Sequence, residues 1–182
     1  MSYAFQCLDF GKPAYFVYKH SLDNLPIGGA SLPLNGNICV VRSKVTGDRI
    51  AALMELSKKR LFSNDQASFV AFVEGTRSKS GELQPFKQGY PRFALQHQVD
   101  VLPTLIVNSA ESWPAFSPLK MAKTEVKYVI GKVVKPPKCA TPGEPTKEEV
   151  AEFIKVLEEK THALINVYAL KKTFILNFAS RS

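Results

Sequence analysis

Strand-like and helix-like patterns take turns along this chain from residue 14 onward, and that alternation constrains the fold more than any other feature. Ala14-Tyr15-Phe16-Val17-Tyr18 is a short aromatic and β-branched run behind Pro13, and Ile38-Cys39-Val40-Val41 follows the turn-like Leu34-Asn35-Gly36-Asn37. Both read as buried strands. Between them the residues around Pro26, Gly28, Gly29 and Pro33 predict a short helix and a loop. Ile50, Leu53, Met54, Ser57 and Leu61 recur at helical spacing after Thr46, an N-cap residue type, which predicts an amphipathic helix over about 47–62. Ser68 to Val73 is the next strand, a short helix near Tyr90 to Gln98 precedes a strand over Val101 to Val107, and Thr124 to Val134 alternates like a strand near a sheet edge. This order predicts an α/β fold with a mostly parallel central sheet flanked by helices. Its ligand site should lie beyond the carboxyl ends of the strands, where Arg42 and Glu74 fall.

A proline-rich connection, Lys135-Pro136-Pro137-Lys138 through Pro142-Gly143-Glu144-Pro145, has no apolar periodicity and few residues able to join a ladder. Thr146 and Glu149 after it have the spacing of a capping box. Val150, Phe153, Ile154, Leu157, Leu164, Ile165 and Tyr168 then form one apolar stripe. The expected organisation is therefore an α/β domain over 1–134, a proline-rich connection over 135–145, and an amphipathic helix with a basic tail over 146–182. The stripe reads as a helix packed on the domain. The tail, with Lys171, Lys172 and Arg181 among Phe174, Ile175, Leu176 and Phe178, is the better candidate for contact with a membrane surface.

A chain of 182 residues with 45% hydrophobic content has the size and composition of one globular domain, which excludes a disordered or fibrous protein. Its net charge of +8 favours anionic partners. The apolar runs fall short of the roughly 20 residues needed for a membrane-spanning helix, so neither such a helix nor a signal peptide is expected from these residues. Cys7, Cys39 and Cys139 are widely separated and lack zinc-ligand spacing, so no metal site is expected. A nucleic-acid partner would rest on charge alone, because Phe69, Phe72, Phe86 and Phe93 fall in strands or on helix faces rather than in a stacking array.

The residues Phe72-Val73-Glu74-Gly75-Thr76-Arg77-Ser78 bring an apolar strand to an acid, a glycine, a hydroxyl and a guanidinium, and Lys87 follows. Arg77 can grip a phosphate through two parallel charge-assisted hydrogen bonds, and Lys87 adds a point charge on a flexible stem. Gly75 and Gly89 would let backbone approach the ligand, and Thr76 and Ser78 can donate hydroxyl hydrogens. A Walker-type loop is disfavoured because Gly81 is followed by Glu82 rather than by Lys and a hydroxyl residue, and no GxSxG elbow occurs.

The tetrapeptide Glu74-Gly75-Thr76-Arg77 continues as SxSGxLxPFKxG to Gly89. This extended run resembles the phosphate-binding motif of the glycerolipid acyltransferase family, the 1-acyl-sn-glycerol-3-phosphate acyltransferases and their kin. The resemblance covers about residues 13–134. Leu25-Pro26-Ile27-Gly28-Gly29 and Gly36-Asn37-Ile38-Cys39-Val40-Val41-Arg42 look like the block whose glycine and arginine shape the acceptor site. Val101-Leu102-Pro103-Thr104-Leu105-Ile106 looks like the block whose proline ends a strand beside the acyl pocket. The resemblance implies a glycerol-3-phosphate-acyltransferase-like fold and transfer of a fatty acyl group from a thioester to a hydroxyl of lysophosphatidate or a related glycerol phosphate. The donor would be acyl-coenzyme A or acyl carrier protein, with no other cofactor. It further implies Arg77, Lys87, Gly75, Thr76, Ser78, Arg42 and Gly36 at the acceptor phosphate, Glu74 as an organising carboxylate, and Leu102 and Pro103 at the acyl pocket. Peripheral contact with an anionic membrane on its cytoplasmic side would follow.

In that family a histidine removes the hydroxyl proton and an aspartate five positions later orients it. The three histidines here, His20, His97 and His162, are followed at that distance by Leu25, Leu102 and Val167. The HxxD pairs His20/Asp23 and His97/Asp100 lie after the place where the family's block belongs. The expectation is that the chain starts just past that HxxxxD block. It would then be either a weakened acyltransferase or a non-catalytic protein that binds lysophospholipid or acyl thioester.

Overall fold

The computed structural model describes residues 14–20, 29, 31–34, 37–40, 54–59, 62, 68–75, 78, 82–112 and 122–179. They belong to two compact units, Met1–Phe72 and Val73–Ser182.

In the first unit, strand β1 (Ala14–Lys19) lies between β2 (Ile38–Val40) and β3 (Ser68–Val70), and both pairings are parallel. Its carboxyl half faces β2, with Val17 opposite Ile38, while its amino half faces β3, with Ala14 opposite Ser68. The side-chain carbonyl of Asn37 accepts the Phe16 N–H at 2.9 Å, satisfying a β1 amide just ahead of β2. Tyr18 of the central strand and Ile38 of β2 are buried. With strand order β2-β1-β3, the chain passes from one flank of β1 to the other, the kind of reversal at which open α/β sheets place ligands. Helix α1 (Ser31–Leu34) is a single turn, and residues 54–59 are helical (α2). Ser57 of the expected inward stripe is fully buried, while Leu56 beside it is exposed. The rest of the predicted 47–62 helix, apart from Phe62, lies outside the described residues.

The second unit is built on helix packing. Helix α3 (Gly89–His97) carries Pro91 in its first turn, where a missing N–H leaves no helix bond unmade. It stops at Gln98, whose left-handed backbone (φ 51°) lets its N–H reach the carbonyls of Ala94 and Leu95. After the one-turn α4 (Ser109–Ser112), the long helix α5 (Lys147–Ala179) begins with the anticipated capping box. Glu149 accepts the Thr146 N–H at 2.7 Å, and the Thr146 hydroxyl accepts the Glu149 N–H at 3.2 Å. Ala94 and Leu95 of α3 and Val150, Phe153 and Leu157 of α5 form the core, with Phe86, Val101, Val134, Cys139 and Ile154 packed around it. Full burial of a side chain such as Leu95, Val150, Phe153 or Leu157 stabilises the fold by about 1.5–3 kcal/mol. Residues 135–145 lie inside this unit: Cys139 packs on the core, and the Gln98 carboxamide donates to the Pro137 carbonyl at 3.1 Å. Side chains beyond Tyr168, including Lys171, Lys172 and Phe174 of the expected basic tail, lie outside the described residues, as does Arg181.

Strands β4 (Thr104–Val107) and β5 (Lys127–Ile130) pair antiparallel, with Thr104 opposite Ile130 and Val107 opposite Lys127. The described strands therefore form a parallel triplet and an antiparallel pair, not the one mostly parallel central sheet expected from the alternation. The pairing resumes beyond β4 and β5 as a Val101–Val134 bridge, with three steps on one strand against four on the other, which makes a bulge around Gly131. A side chain would be crowded there, because a Cβ would stand 3.1 Å from a Leu164 methyl and 3.2 Å from the Pro103 carbonyl oxygen.

Candidate functional site

The strand expected over Ser68 to Val73 ends at Val70, and the motif begins in a turn at Val73 and Glu74. Gly75 follows with φ 71°, a left-handed conformation that costs other residues about 1–2 kcal/mol. The loop closes where the Lys87 N–H donates to the Val73 carbonyl at 2.8 Å, so the two ends of the motif lie side by side. Glu74 holds the interior: its Oε2 accepts the Gln84 N–H at 2.8 Å. The Gln84 carboxamide in turn donates to the Glu82 carbonyl at 3.3 Å and reaches the Ser78 hydroxyl at 3.5 Å. Glu74 thus ties two parts of the loop together, a carboxylate fixing main chain.

Of the residues assigned to an acceptor phosphate, the structure brings Gly75, Ser78 and Lys87 into this one loop, with the Lys87 side chain exposed. Thr76, Arg77, Gly36 and Arg42 lie outside the described residues. Pro103 is buried and stands at the start of β4, not at the end of a strand. Having no N–H it cannot donate to the ladder, but its carbonyl accepts the Gly131 N–H at 2.9 Å. Leu102 beside it is 40% exposed.

The histidines sit in structural settings. His20 follows β1, and its Nδ1 lies 3.7 Å from the Cys39 thiol of β2. His97 packs edge-on against Phe93 with ring centroids 4.6 Å apart, at the end of α3. Asp23 lies outside the described residues, and Asp100 is exposed.

One residue of the loop's framework escaped sequence reading. Glu158 of α5 accepts the Phe86 N–H at 3.0 Å through Oε1, from 72 positions along the chain. The only trace in the sequence is an acid directly after Leu157, at the border of the apolar stripe.

The described residues thus combine a parallel strand triplet in the first unit with a closed loop, helices and an antiparallel strand pair in the second, an α/β composition. A solved structure has the same fold: the 1-acyl-sn-glycerophosphate acyltransferase PlsC of Thermotoga maritima, with a TM-score of 0.58, 20% identity, and coverage of 86% of this chain and 58% of that one. The family model described as Acyltransferase matches residues 1–107, and the chain belongs to that family. The match takes in the whole 73–89 loop and ends with β4. Among curated relatives, a chloroplastic 1-acyl-sn-glycerol-3-phosphate acyltransferase of Brassica napus is 27% identical over 152 residues, 82% of this chain and 42% of the relative. The 1-acyl-sn-glycerol-3-phosphate acyltransferase of Limnanthes douglasii is 31% identical over 85 residues, 44% of this chain and 30% of the relative. The chain thus spans less than half the length of these relatives. No helix among the described residues is long and apolar enough to cross a membrane.

Proposed function

We propose that this chain supplies the acceptor-phosphate side of a glycerolipid acyltransferase site. The reaction would pass a fatty acyl group from an acyl thioester of coenzyme A or acyl carrier protein to a hydroxyl of lysophosphatidate. The observation that carries this reading is the closed 73–87 loop, in which Glu74 fixes the interior and a left-handed Gly75 leads into Arg77. Arg77 and Lys87 hold the phosphate, Thr76 and Ser78 add hydroxyl donors, and the Gly75 backbone approaches closely. Arg42 and Gly36 complete the acceptor side. The exposed Leu102 side chain beside Pro103 offers apolar surface to the acyl chain. A net charge of +8 and the basic end of the chain suit peripheral contact with an anionic membrane on its cytoplasmic side.

Acyl transfer requires a base to take the acceptor hydroxyl proton as the oxygen attacks the thioester carbonyl and the thiolate leaves. No histidine of this sequence has an aspartate at the HxxxxD spacing. Loss of a general base costs a factor of roughly 10² to 10⁴, so these 182 residues should bind far better than they turn over. That same observation favours a second reading, a non-catalytic protein that binds lysophospholipid or acyl thioester. The test is coenzyme A release by the purified chain with lauroyl-coenzyme A and lysophosphatidate. Little or no turnover is expected. Robust turnover that survives His20→Ala and His97→Ala would contradict the claim that the base is not in this sequence.

A further inference from the structure

The segment Gln84-Pro85-Phe86-Lys87 uses every backbone donor it possesses. Gln84 N–H goes to the Glu74 carboxylate, Pro85 has none, Phe86 N–H goes to Glu158, and Lys87 N–H goes to the Val73 carbonyl. No main-chain amide of this edge is left to bind an anion, so any grip on a ligand here falls to the Lys87 ammonium. Where that ammonium sits depends on how firmly the backbone beneath it is held.

Two of the three ties lie within the loop. The third comes from α5, which lies beyond residue 107, where the family match ends. Glu158 is half-buried between the core residues Phe153 and Leu157 and the buried Thr161, whose hydroxyl donates to the Leu157 carbonyl at 2.8 Å. Its carboxylate therefore projects from a fixed part of the helix. Phe86 is anchored twice, by its ring against the core and by its amide on Glu158. Lys87 is the next residue.

We propose that Glu158 is a positioning residue for the anion loop: its carboxylate, by fixing the Phe86 amide, sets the placement of Lys87 and so the loop's preference for a phosphorylated lipid. This rests on the reading of the loop as a phosphate site. A carboxylate makes a stronger acceptor for an amide than a neutral oxygen. Glutamine preserves an acceptor at the same distance, and leucine removes it.

The test measures the affinity ratio of the intact chain for 1-lauroyl lysophosphatidate over 1-monolaurin, both in uncharged detergent micelles, beside a melting temperature. Glu158→Leu should lower the ratio about tenfold by weakening only the phosphorylated ligand, while Glu158→Gln should stay within about threefold of the parent. Glu158→Asp, which keeps the charge but shortens the arm by one methylene, should lower the ratio at an unchanged melting temperature and serves if the leucine variant does not fold. A Glu158→Leu or Glu158→Asp protein that melts earlier yet keeps the parent ratio would overturn the proposal, leaving Glu158 a structural tie only. Lys87→Ala separates the two claims. If it leaves the ratio intact, the phosphate reading fails; if it collapses the ratio while the Glu158 variants do not, the positioning role alone fails.

Discussion

The loop that carries Lys87 and the proline-rich segment ahead of α5 are held by the same device, a glutamate accepting main-chain N–H groups, yet they put it to different ends. Glu149 accepts the Ala140 N–H at 2.8 Å and the Thr146 N–H at 2.7 Å, one on each carboxylate oxygen. That carboxylate is committed to starting a helix and pinning the segment before it. Glu74 accepts the Gln84 N–H across a loop that also holds a left-handed glycine and an exposed lysine. The bond chemistry is alike in the two places. What differs is the company each keeps: the proposed phosphate site rests on Thr76, Arg77, Ser78 and Lys87 in the sequence of the Glu74 loop, of which the Lys87 side chain is exposed.

The comparison is broken most sharply at Arg77. Arg77→Ala should weaken binding of lysophosphatidate by about 10²-fold, the loss of two charge-assisted hydrogen bonds, without altering the melting temperature. Titration calorimetry would measure it. Gly75→Ala should cost about 1–2 kcal/mol of stability from the left-handed backbone and distort the loop, visible in denaturant unfolding together with weaker phosphate binding. Thr146→Ala at the capping box should cost about 1 kcal/mol and leave lipid affinity untouched, since the box lies outside the 73–87 loop.

The smallest effect concerns acid. Hydrogen bonds from the Ala140 and then the Thr146 backbone hold the Glu149 carboxyl below its ordinary value of 4.5. A depressed native value means that its contribution is complete above pH 4.5 and is lost as pH falls through the native value. Glu149→Gln should therefore lower the neutral plateau of a melting-temperature profile slightly and flatten its acid limb. An unchanged acid limb would count against the assigned bonds.

Much of this architecture was legible in the sequence, where local chemistry decides it. Thr146 and Glu149 announced the capping box by spacing alone, and Tyr90 to Gln98 was readable because Pro91 fits a helix start and the apolar residues keep helical period. The strands β1 and β2 were readable from their unbroken apolar runs. Reading failed where a distant partner decides. The third strand stops at Val70 because the chain must turn at Glu74 and Gly75 so that Val73 can meet Lys87, 14 residues on. The antiparallel pairing of β4 with β5, and the bulge at Gly131 beside Leu164 that follows it, join residues that no single local window contains. Glu158 was invisible for the same reason, because its partner is 72 positions away. Glu74, Gly75 and Lys87 were singled out by their chemistry and by family resemblance, not by periodicity.

The central claim, that the 73–89 loop is a phosphate site, is tested most directly on the unmodified chain. Its affinity for 1-lauroyl lysophosphatidate should exceed that for 1-monolaurin, which has the same acyl chain and no phosphate, by about tenfold or more at low salt and by less as salt rises. Equal affinities for the two lipids, insensitive to salt, would contradict it.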